Sequence, residues 1–191
     1  RVALTICNVG DTVLVPNPGY PVFAIGPMLN DANIEYYELK EENGYLIDFN
    51  SIPEDVARKA KAIVVSYPAN PICRLAPVSF YEELVAWAKK YNVIVLHDNA
   101  YSELVYDGKK GISFLSIEGA KDVGIEFNSL SKTYNLTGAR ISFALGNKKI
   151  ISEFKKLRSQ IDYGIFIPVQ KAAVAALLGP QDSVERNRAE Y

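Results

Sequence analysis

The sequence has few of the residues that build disulfide scaffolds and metal clusters. Its 191 residues include two cysteines, Cys7 and Cys73, and one histidine, His97. Two isolated cysteines are too few for a secreted disulfide framework or a metal cluster, so we expect a reducing, cytoplasmic setting and no metal site. We expect both cysteines to be small buried hydrophobes. His97 ends an apolar run, and we expect it to pack in the core rather than act as a general base.

The chain also lacks long apolar runs and blocks of one charge. Its 21 basic and 22 acidic residues are mixed along the sequence and give a formal net charge of −1. Nucleic acid and membrane surfaces attract clustered positive charge, so this pattern argues against both as partners. No stretch resembles a signal peptide, reaches membrane-spanning length or repeats internally. The expected partner is a small molecule or another protein.

The apolar residues that are present predict an α/β fold. They make up 49% of the chain, enough for one domain with a full core. Six short runs, several of them apolar on both faces, predict strands at 12–16, 34–39, 62–66, 93–97, 123–127 and 141–145. Helical spacing predicts helices at 79–91, 148–161 and 168–179, the first starting with a Ser79–Glu82 capping box. We therefore expect a three-layer α/β/α architecture around a mostly parallel central sheet.

Polar segments follow four of the predicted strands. They read "NPGYP" at 17–21, "YPANP" at 67–71, "DNAY" at 98–101 and "NSLSK" at 128–132. Open parallel sheets bind ligands beyond the carboxyl ends of their strands, and these ends share one edge. We therefore expect the four segments to converge on one pocket, although they are spread over more than a hundred positions.

Lys132 is the most reactive group in these segments. A lysine is ordinarily protonated at neutral pH, but desolvation and a neighbouring cation such as Arg140 favour the neutral amine, which forms a Schiff base with a carbonyl. The other groups acquire roles if that carbonyl belongs to pyridoxal phosphate. Asp98 would pair with the protonated pyridine nitrogen, gaining roughly 4 kcal/mol of gross attraction at about 4 Å and an effective dielectric of about 20.

The remaining roles concern the ring face, the ring oxygen and the phosphate. Tyr20 would cover the ring, Asn70 and Tyr101 would donate hydrogen bonds to the phenolate oxygen, and Ser129 with Arg140 would bind the phosphate. Five of these residues also have a plain structural alternative. Lys132 and Arg140 can be surface groups, Asp98 a helix cap, and the two tyrosines core residues.

Together these motifs resemble those of a known family. "PNPGYP", "YPANP", "HDNAY" and "SLSKTYNLTGAR" are similar, in order and separation, to the cofactor motifs of fold-type I, pyridoxal-phosphate-dependent class I/II aminotransferases. The resemblance runs from about residue 1 to at least residue 180. It implies that Lys132, Asp98 and Tyr101 are catalytic, with Lys132 binding the cofactor and moving the substrate's α-proton. It also implies a phosphate or neighbouring contact from Ser131, a cis bond at Asn70-Pro71 and a homodimer.

The resemblance leaves the reaction open at a finer level. The wording of the motifs is most similar to aminotransferases named for LL-diaminopimelate, aspartate or alanine, which implies amino transfer between an L-amino acid and a 2-oxo acid. A carbon-sulfur β-lyase shares the same scaffold and motifs. A non-catalytic pyridoxal-phosphate-binding module of a transcriptional regulator is a third possibility, from a different class.

The chain also departs from the family pattern. Ile72-Cys73 stands where the family usually has Thr-Gly, and Ala139 and Ser142 replace an aromatic residue and a glycine. We expect altered turns there. Nothing in the sequence resembles the family's upstream glycine-rich segment or its carboxyl-terminal small domain. We therefore expect a large-domain fragment at 1–180, with 181–191 starting the connection to a small domain, and poor transamination by this chain alone.

Overall fold

A computed structural model describes residues 1–191 and shows one six-stranded sheet with helices on both faces. The strands are β1 (Thr12–Asn17), β2 (Asn33–Glu38), β3 (Ala60–Ser66), β4 (Ile94–Asp98), β5 (Gly124–Ser129) and β6 (Ser142–Gly146). Their order across the sheet is β2-β1-β3-β4-β5-β6, and only β6 is antiparallel to its neighbour. The six predicted strands and the mostly parallel α/β sheet are confirmed.

Nine α-helices and four short 3-10 turns connect the strands. The helices are α1 (Val2–Ile6), α2 (Val22–Met28), α3 (Glu54–Lys59), α4 (Val78–Tyr91), α5 (Ala120–Val123), α6 (Leu130–Thr133), α7 (Lys148–Ile161), α8 (Ile167–Leu178) and α9 (Asp182–Glu190). The 3-10 turns cover Glu41–Asn43, Phe49–Ser51, Phe114–Ser116 and Thr137–Ala139. None of the helices combines the length and the hydropathy needed to cross a bilayer.

The three predicted helices are present, but the predicted start of α4 is wrong. The helix begins at Val78 after Pro77, whose extended backbone occupies the N-cap position without any side-chain cap hydrogen bond. Ser79 therefore lies inside the first turn and forms no capping box with Glu82. A proline at the start of a helix needs no side-chain cap of its own. Its fixed φ suits the helix start, and it has no N–H that would require a partner.

The two faces of the sheet are packed unequally. On the side of α4, which we call the α4 face, 23 buried residues form one hydrophobic cluster. On the opposite side, which we call the α2 face, the corresponding cluster has 10 buried residues and receives side chains from α1 and α2. Successive residues of each strand alternate between the faces, so that Val95 belongs to the α4 face and Leu96 to the α2 face.

The structure confirms the predicted burial of two residues, His97 and Cys7, but not that of Cys73. His97 is fully buried, as predicted, and Cys7 is buried in the α2-face cluster, where burial raises the pKa of its thiol to about 11. The prediction of a buried Cys73 is wrong. Cys73 is exposed because it lies in the turn after β3, in a left-handed backbone conformation with φ of 59°.

The final residues fold back onto the rest of the chain. The Asn187 side chain of α9 donates a hydrogen bond of 3.3 Å to the carbonyl of Thr133, and Val184 is buried. The Tyr134 hydroxyl donates a hydrogen bond of 2.8 Å to Gln181. The division at residue 180 stays a prediction.

Candidate functional site

The carboxyl ends of the parallel strands bring the predicted polar segments to one edge of the sheet. Asp98 is the last residue of β4, and its register partners are Ser66 at the end of β3 and Phe127 near the end of β5. The ends of the three central strands are therefore level. At the same edge, Ser129 is the last residue of β5, and Asn70 lies in the segment that follows β3.

One cavity at this edge, of about 460 Å³, contains four of the predicted residues. We call it the Asp98 cavity. Its polar lining includes Tyr20, Asp98, Ser129 and Arg140. Its floor is made of strand side chains on the α2 face, namely Val64, Leu96 and Phe127. The cavity thus combines an apolar floor with an acid, a hydroxyl and a guanidinium, as expected of a small-molecule site.

Asp98 lines this cavity without forming an ion pair. Burial raises the pKa of its carboxyl group, and the opposing effects of His97 and of the Ala100 backbone N–H are smaller. None of the ion pairs in the structure includes Asp98 or Arg140. A half-buried, desolvated acid gains from a cationic ligand group, because a nearby positive charge offsets its desolvation.

A second cavity, of about 600 Å³, is lined by three further residues of the predicted site. We call it the Lys132 cavity, and it is lined by Asn70, Tyr101 and Lys132 among others. The half-buried Lys132 amine lies 5.8 Å from the centroid of the Tyr101 ring. This distance is within the range of a cation–π contact.

Tyr101 connects the two cavities electrostatically. Burial raises the pKa of its phenol, the nearby Asp98, Tyr20 and Cys73 side chains raise it further, and a hydrogen bond with the Asn70 side chain lowers it. Its neighbours therefore include residues of both cavities. The structure brings the predicted residues to one edge, but Lys132 and Asp98 line separate cavities with Tyr101 near both.

Local turns fix the direction of the lysine. The Ser129 side chain caps the single turn of α6 by accepting a hydrogen bond of 3.2 Å from the Ser131 backbone N–H. Leu130 is buried and anchors that turn. Lys132 follows at the third position of the turn, facing the Lys132 cavity.

Two predicted phosphate residues are placed less directly. Ser131 lines neither cavity, and its carbonyl accepts a hydrogen bond of 3.0 Å from Thr137. Arg140 lines the Asp98 cavity but is exposed, has a left-handed φ of 53° and donates a hydrogen bond of 3.0 Å to the Thr137 carbonyl. An exposed guanidinium without a carboxylate partner remains available to an anion.

The structure shows what the residues that depart from the family pattern contact. The Asn70-Pro71 bond is cis, as expected. Ile72 packs against the α4-face cluster, whereas Cys73 lines the Lys132 cavity. Ala139 packs against a third hydrophobic cluster, formed by Leu130, Ile141 and Ala173. Ser142 lines the Asp98 cavity.

Two residues near the site were missed by the sequence reasoning. Asn128 lines the Asp98 cavity, and its amide donates a hydrogen bond of 2.8 Å to Glu126. Glu126 is buried on the α4 face next to His97. The available signal was an acid inside the apolar run "VGIEF", which a strand buried on both faces tolerates only with partners.

Comparison with known proteins gives consistent results. The sequence profile described as "Aminotransferase class I and II" matches residues 2–191. A protein of Dehalococcoides mccartyi named LL-diaminopimelate aminotransferase is 48% identical over 182 residues, covering 95% of this chain and 47% of that protein. One of the same name from Aquifex aeolicus is 49% identical over 188 residues, covering 98% and 49%. The chain thus spans about half the length of these relatives.

Solved structures agree with this result. A substrate-bound BacF structure from Bacillus subtilis matches with a TM-score of 0.95 and 40% identity, over 98% of this chain and 48% of that one. A probable N-succinyldiaminopimelate aminotransferase from Thermus thermophilus matches with a TM-score of 0.93 and 32% identity, over 98% and 50%. By its sequence profile, its relatives and its fold, the chain belongs to the class I and II aminotransferase family.

Proposed function

We propose that this chain forms the pyridoxal-phosphate-binding part of an aminotransferase that moves an amino group between an L-amino acid and a 2-oxo acid. The observation that carries the proposal is the convergence of four motifs at one sheet edge, with a half-buried acid that forms no ion pair within the protein. When bound, pyridoxal phosphate supplies an aldehyde that reacts with amines and a ring that accepts electrons.

The residues of the Asp98 cavity fit the non-reacting parts of this cofactor. Asp98 would keep a proton on the ring nitrogen, because its charge gains most from a cation in this desolvated position. Tyr20 would cover one face of the ring. Ser129 and the unpaired Arg140 would bind the phosphate, with Ser131 contributing through the turn it shares with Ser129.

The residues of the Lys132 cavity fit the reacting end. Asn70 and Tyr101 would donate hydrogen bonds to the ring oxygen. The Lys132 amine would hold the cofactor through its aldehyde carbon and would be the base that takes the proton from the substrate's α-carbon. The Tyr101 ring lies 5.8 Å from the amine and would help to orient it.

For the substrate, we propose LL-diaminopimelate as the amino donor, with aspartate as the second choice. Relatives named LL-diaminopimelate aminotransferase at 46–49% identity support this choice. The aminotransferase names also favour this reaction over the β-lyase and regulator interpretations. We further propose a cytoplasmic homodimer, as the family resemblance implies.

A labelling experiment tests the role of Lys132. The protein is titrated with pyridoxal phosphate, followed by its absorbance spectrum, then reduced with borohydride, digested and mapped by mass spectrometry. The label should appear on the peptide that contains Lys132 and should be lost in Lys132→Arg. Label on a different lysine would contradict the assignment, and pyruvate release from cystathionine would favour the β-lyase reaction instead.

A rate measurement tests the extent of the site. We expect the 191-residue chain to transaminate poorly, since its two cavities are open to solvent and a substrate must be held in place for reaction. Turnover is measured with LL-diaminopimelate and a 2-oxo acid. A normal turnover rate for this chain would contradict that expectation.

A further inference from the structure

Glu126 lies on the α4 face of the sheet, on the side opposite to the Asp98 cavity, and is only 2% exposed. Its two carboxylate oxygens accept hydrogen bonds from five groups: His97 Nδ1 at 3.0 Å, Asn99 Nδ2 at 3.2 Å, Asn128 Nδ2 at 2.8 Å, the Phe114 backbone N–H at 2.8 Å, and Ser113 Oγ at 3.0 and 3.1 Å. A carboxylate has about four acceptor positions, so its capacity is full.

Three of these donors are sequence neighbours of residues predicted to bind the cofactor. His97 and Asn99 are the residues immediately before and after Asp98. Asn128 immediately precedes Ser129. His97 is also the register partner of Glu126 across β4 and β5. One buried side chain therefore holds both neighbours of the predicted cofactor acid and the neighbour of the predicted phosphate serine.

The protonation pattern makes this arrangement persistent. His97 Nδ1 donates to the Glu126 carboxylate at 3.0 Å, and Nε2 of the same ring lies 3.3 Å from the Tyr81 hydroxyl oxygen. Burial alone would raise the pKa of Glu126, but the hydrogen bonds and charge of His97 and the two asparagine amides lower it to about 2. The side chain thus stays an acceptor for all its donors at neutral pH.

We propose that Glu126 is a positioning residue for the cofactor site, which holds the ends of β4 and β5 so that Asp98 and Ser129 enter their cavity in a fixed relation. The proposal rests on the proposed function for its cofactor but on the hydrogen bonds above for its geometry. Binding groups work best when a surrounding set of hydrogen bonds locks them in place before the ligand arrives. Glu126 itself touches neither cavity.

The test compares Glu126→Gln with Ser113→Ala. The glutamine has the same size, but its amide nitrogen cannot accept, so donors on one side lose their partner. Ser113→Ala removes a donor that belongs to the loop after β4 and does not adjoin Asp98 or Ser129. Asn99→Ala removes one donor beside Asp98 while the carboxylate stays, and it keeps the test possible if Glu126→Gln fails to fold.

Two readouts separate positioning from general stability. The first is amide hydrogen exchange of the protein without ligand, which should become faster at 97–101 and 126–131 in Glu126→Gln but only near 113–117 in Ser113→Ala. The second is the dissociation constant for pyridoxal phosphate, which should rise about tenfold or more in Glu126→Gln and Asn99→Ala and less than about twofold in Ser113→Ala.

The outcomes are distinct. Wild-type-like affinity and exchange in Glu126→Gln would overturn the inference, and so would equal weakening by Ser113→Ala, because that would show only a loss of stability. If the wild-type protein takes up no pyridoxal phosphate, the proposed function fails. The exchange data would then decide by themselves whether Glu126 holds the two strand ends.

Discussion

The two faces of the sheet differ in how they surround polar side chains, as two adjacent residues of β4 show. His97 and Asp98 follow one another on β4, yet His97 enters a 23-residue core on the α4 face and Asp98 enters a 460 Å³ cavity on the α2 face. The carboxylate on the α4 face, Glu126, has all its acceptor positions filled by the protein. The carboxylate on the α2 face, Asp98, forms no ion pair within the protein.

This difference indicates which face is built for stability and which for a ligand. A buried charge without enough partners costs free energy, so it persists only where something other than stability requires it. Substitutions on the α4 face should therefore affect unfolding. Substitution of the cavity residue Asp98 on the α2 face should affect binding and leave unfolding almost unchanged.

The largest effect should come from Glu126→Ala. Removing the carboxylate leaves His97, two amides and a backbone N–H buried without an acceptor, so we expect the free energy of unfolding to fall by about 4 kcal/mol. Urea unfolding at pH 7 measures this. The matched control is the exposed Glu118→Ala, which should change stability by less than about 0.5 kcal/mol. Equal effects at the two positions would remove the contrast between buried and exposed acids.

Leu84→Ala tests the packing of the α4 face. Leu84 is fully buried in α4, and its truncation should cost about 3 kcal/mol through lost burial and the cavity that remains. Ile25 of α2 is 51% exposed, so Ile25→Ala should cost less than about 1 kcal/mol in the same urea experiment. A loss at Ile25 as large as that at Leu84 would contradict the difference in burial between these two side chains.

The pH dependence of stability should also come mainly from the α4 face. The pKa of Glu126 is lowered from 4.5 to about 2 in the folded protein, so its contribution is complete above about pH 5 and is lost as the pH falls towards 2. The difference corresponds to about 3 kcal/mol. Unfolding free energies are measured between pH 5 and 2 for wild type and Glu126→Gln. The variant should lack this decline, and parallel profiles would contradict the assignment of the decline to Glu126.

Much of the fold was predictable because its signals are local. Short strand-like runs, several of them rich in β-branched residues, predicted all six strands, and the strand ends predicted that Tyr20, Asn70, Asp98 and Ser129 share one edge. Local signals also misled. The Ser79–Glu82 pattern suggested a capping box, but the helix had already begun after Pro77, so Ser79 lies in its first turn.

The parts that could not be predicted depend on register and side-chain direction. Glu126 looks like an isolated acid in an apolar run until β4 and β5 pair and bring it opposite His97. Likewise, the sequence shows Lys132 and Asp98 only as members of one edge. Their separation into two cavities, with Tyr101 near both, follows from turns whose directions no spacing rule specifies.

The smallest effect on stability should come from Asp98→Asn, which is therefore the sharpest test of the comparison. Burial raises the pKa of Asp98, so its ionisation opposes folding at pH values above the folded pKa, and this cost disappears as the pH falls below 3.8. The neutral amide has the same shape and no such cost. The free energy of unfolding without ligand should stay the same or rise slightly at pH 7, in urea unfolding, while affinity for pyridoxal phosphate falls about tenfold or more, ~1.4 kcal/mol. A clear loss of stability without loss of affinity would place Asp98 in the same structural class as Glu126 and end the distinction between the two faces.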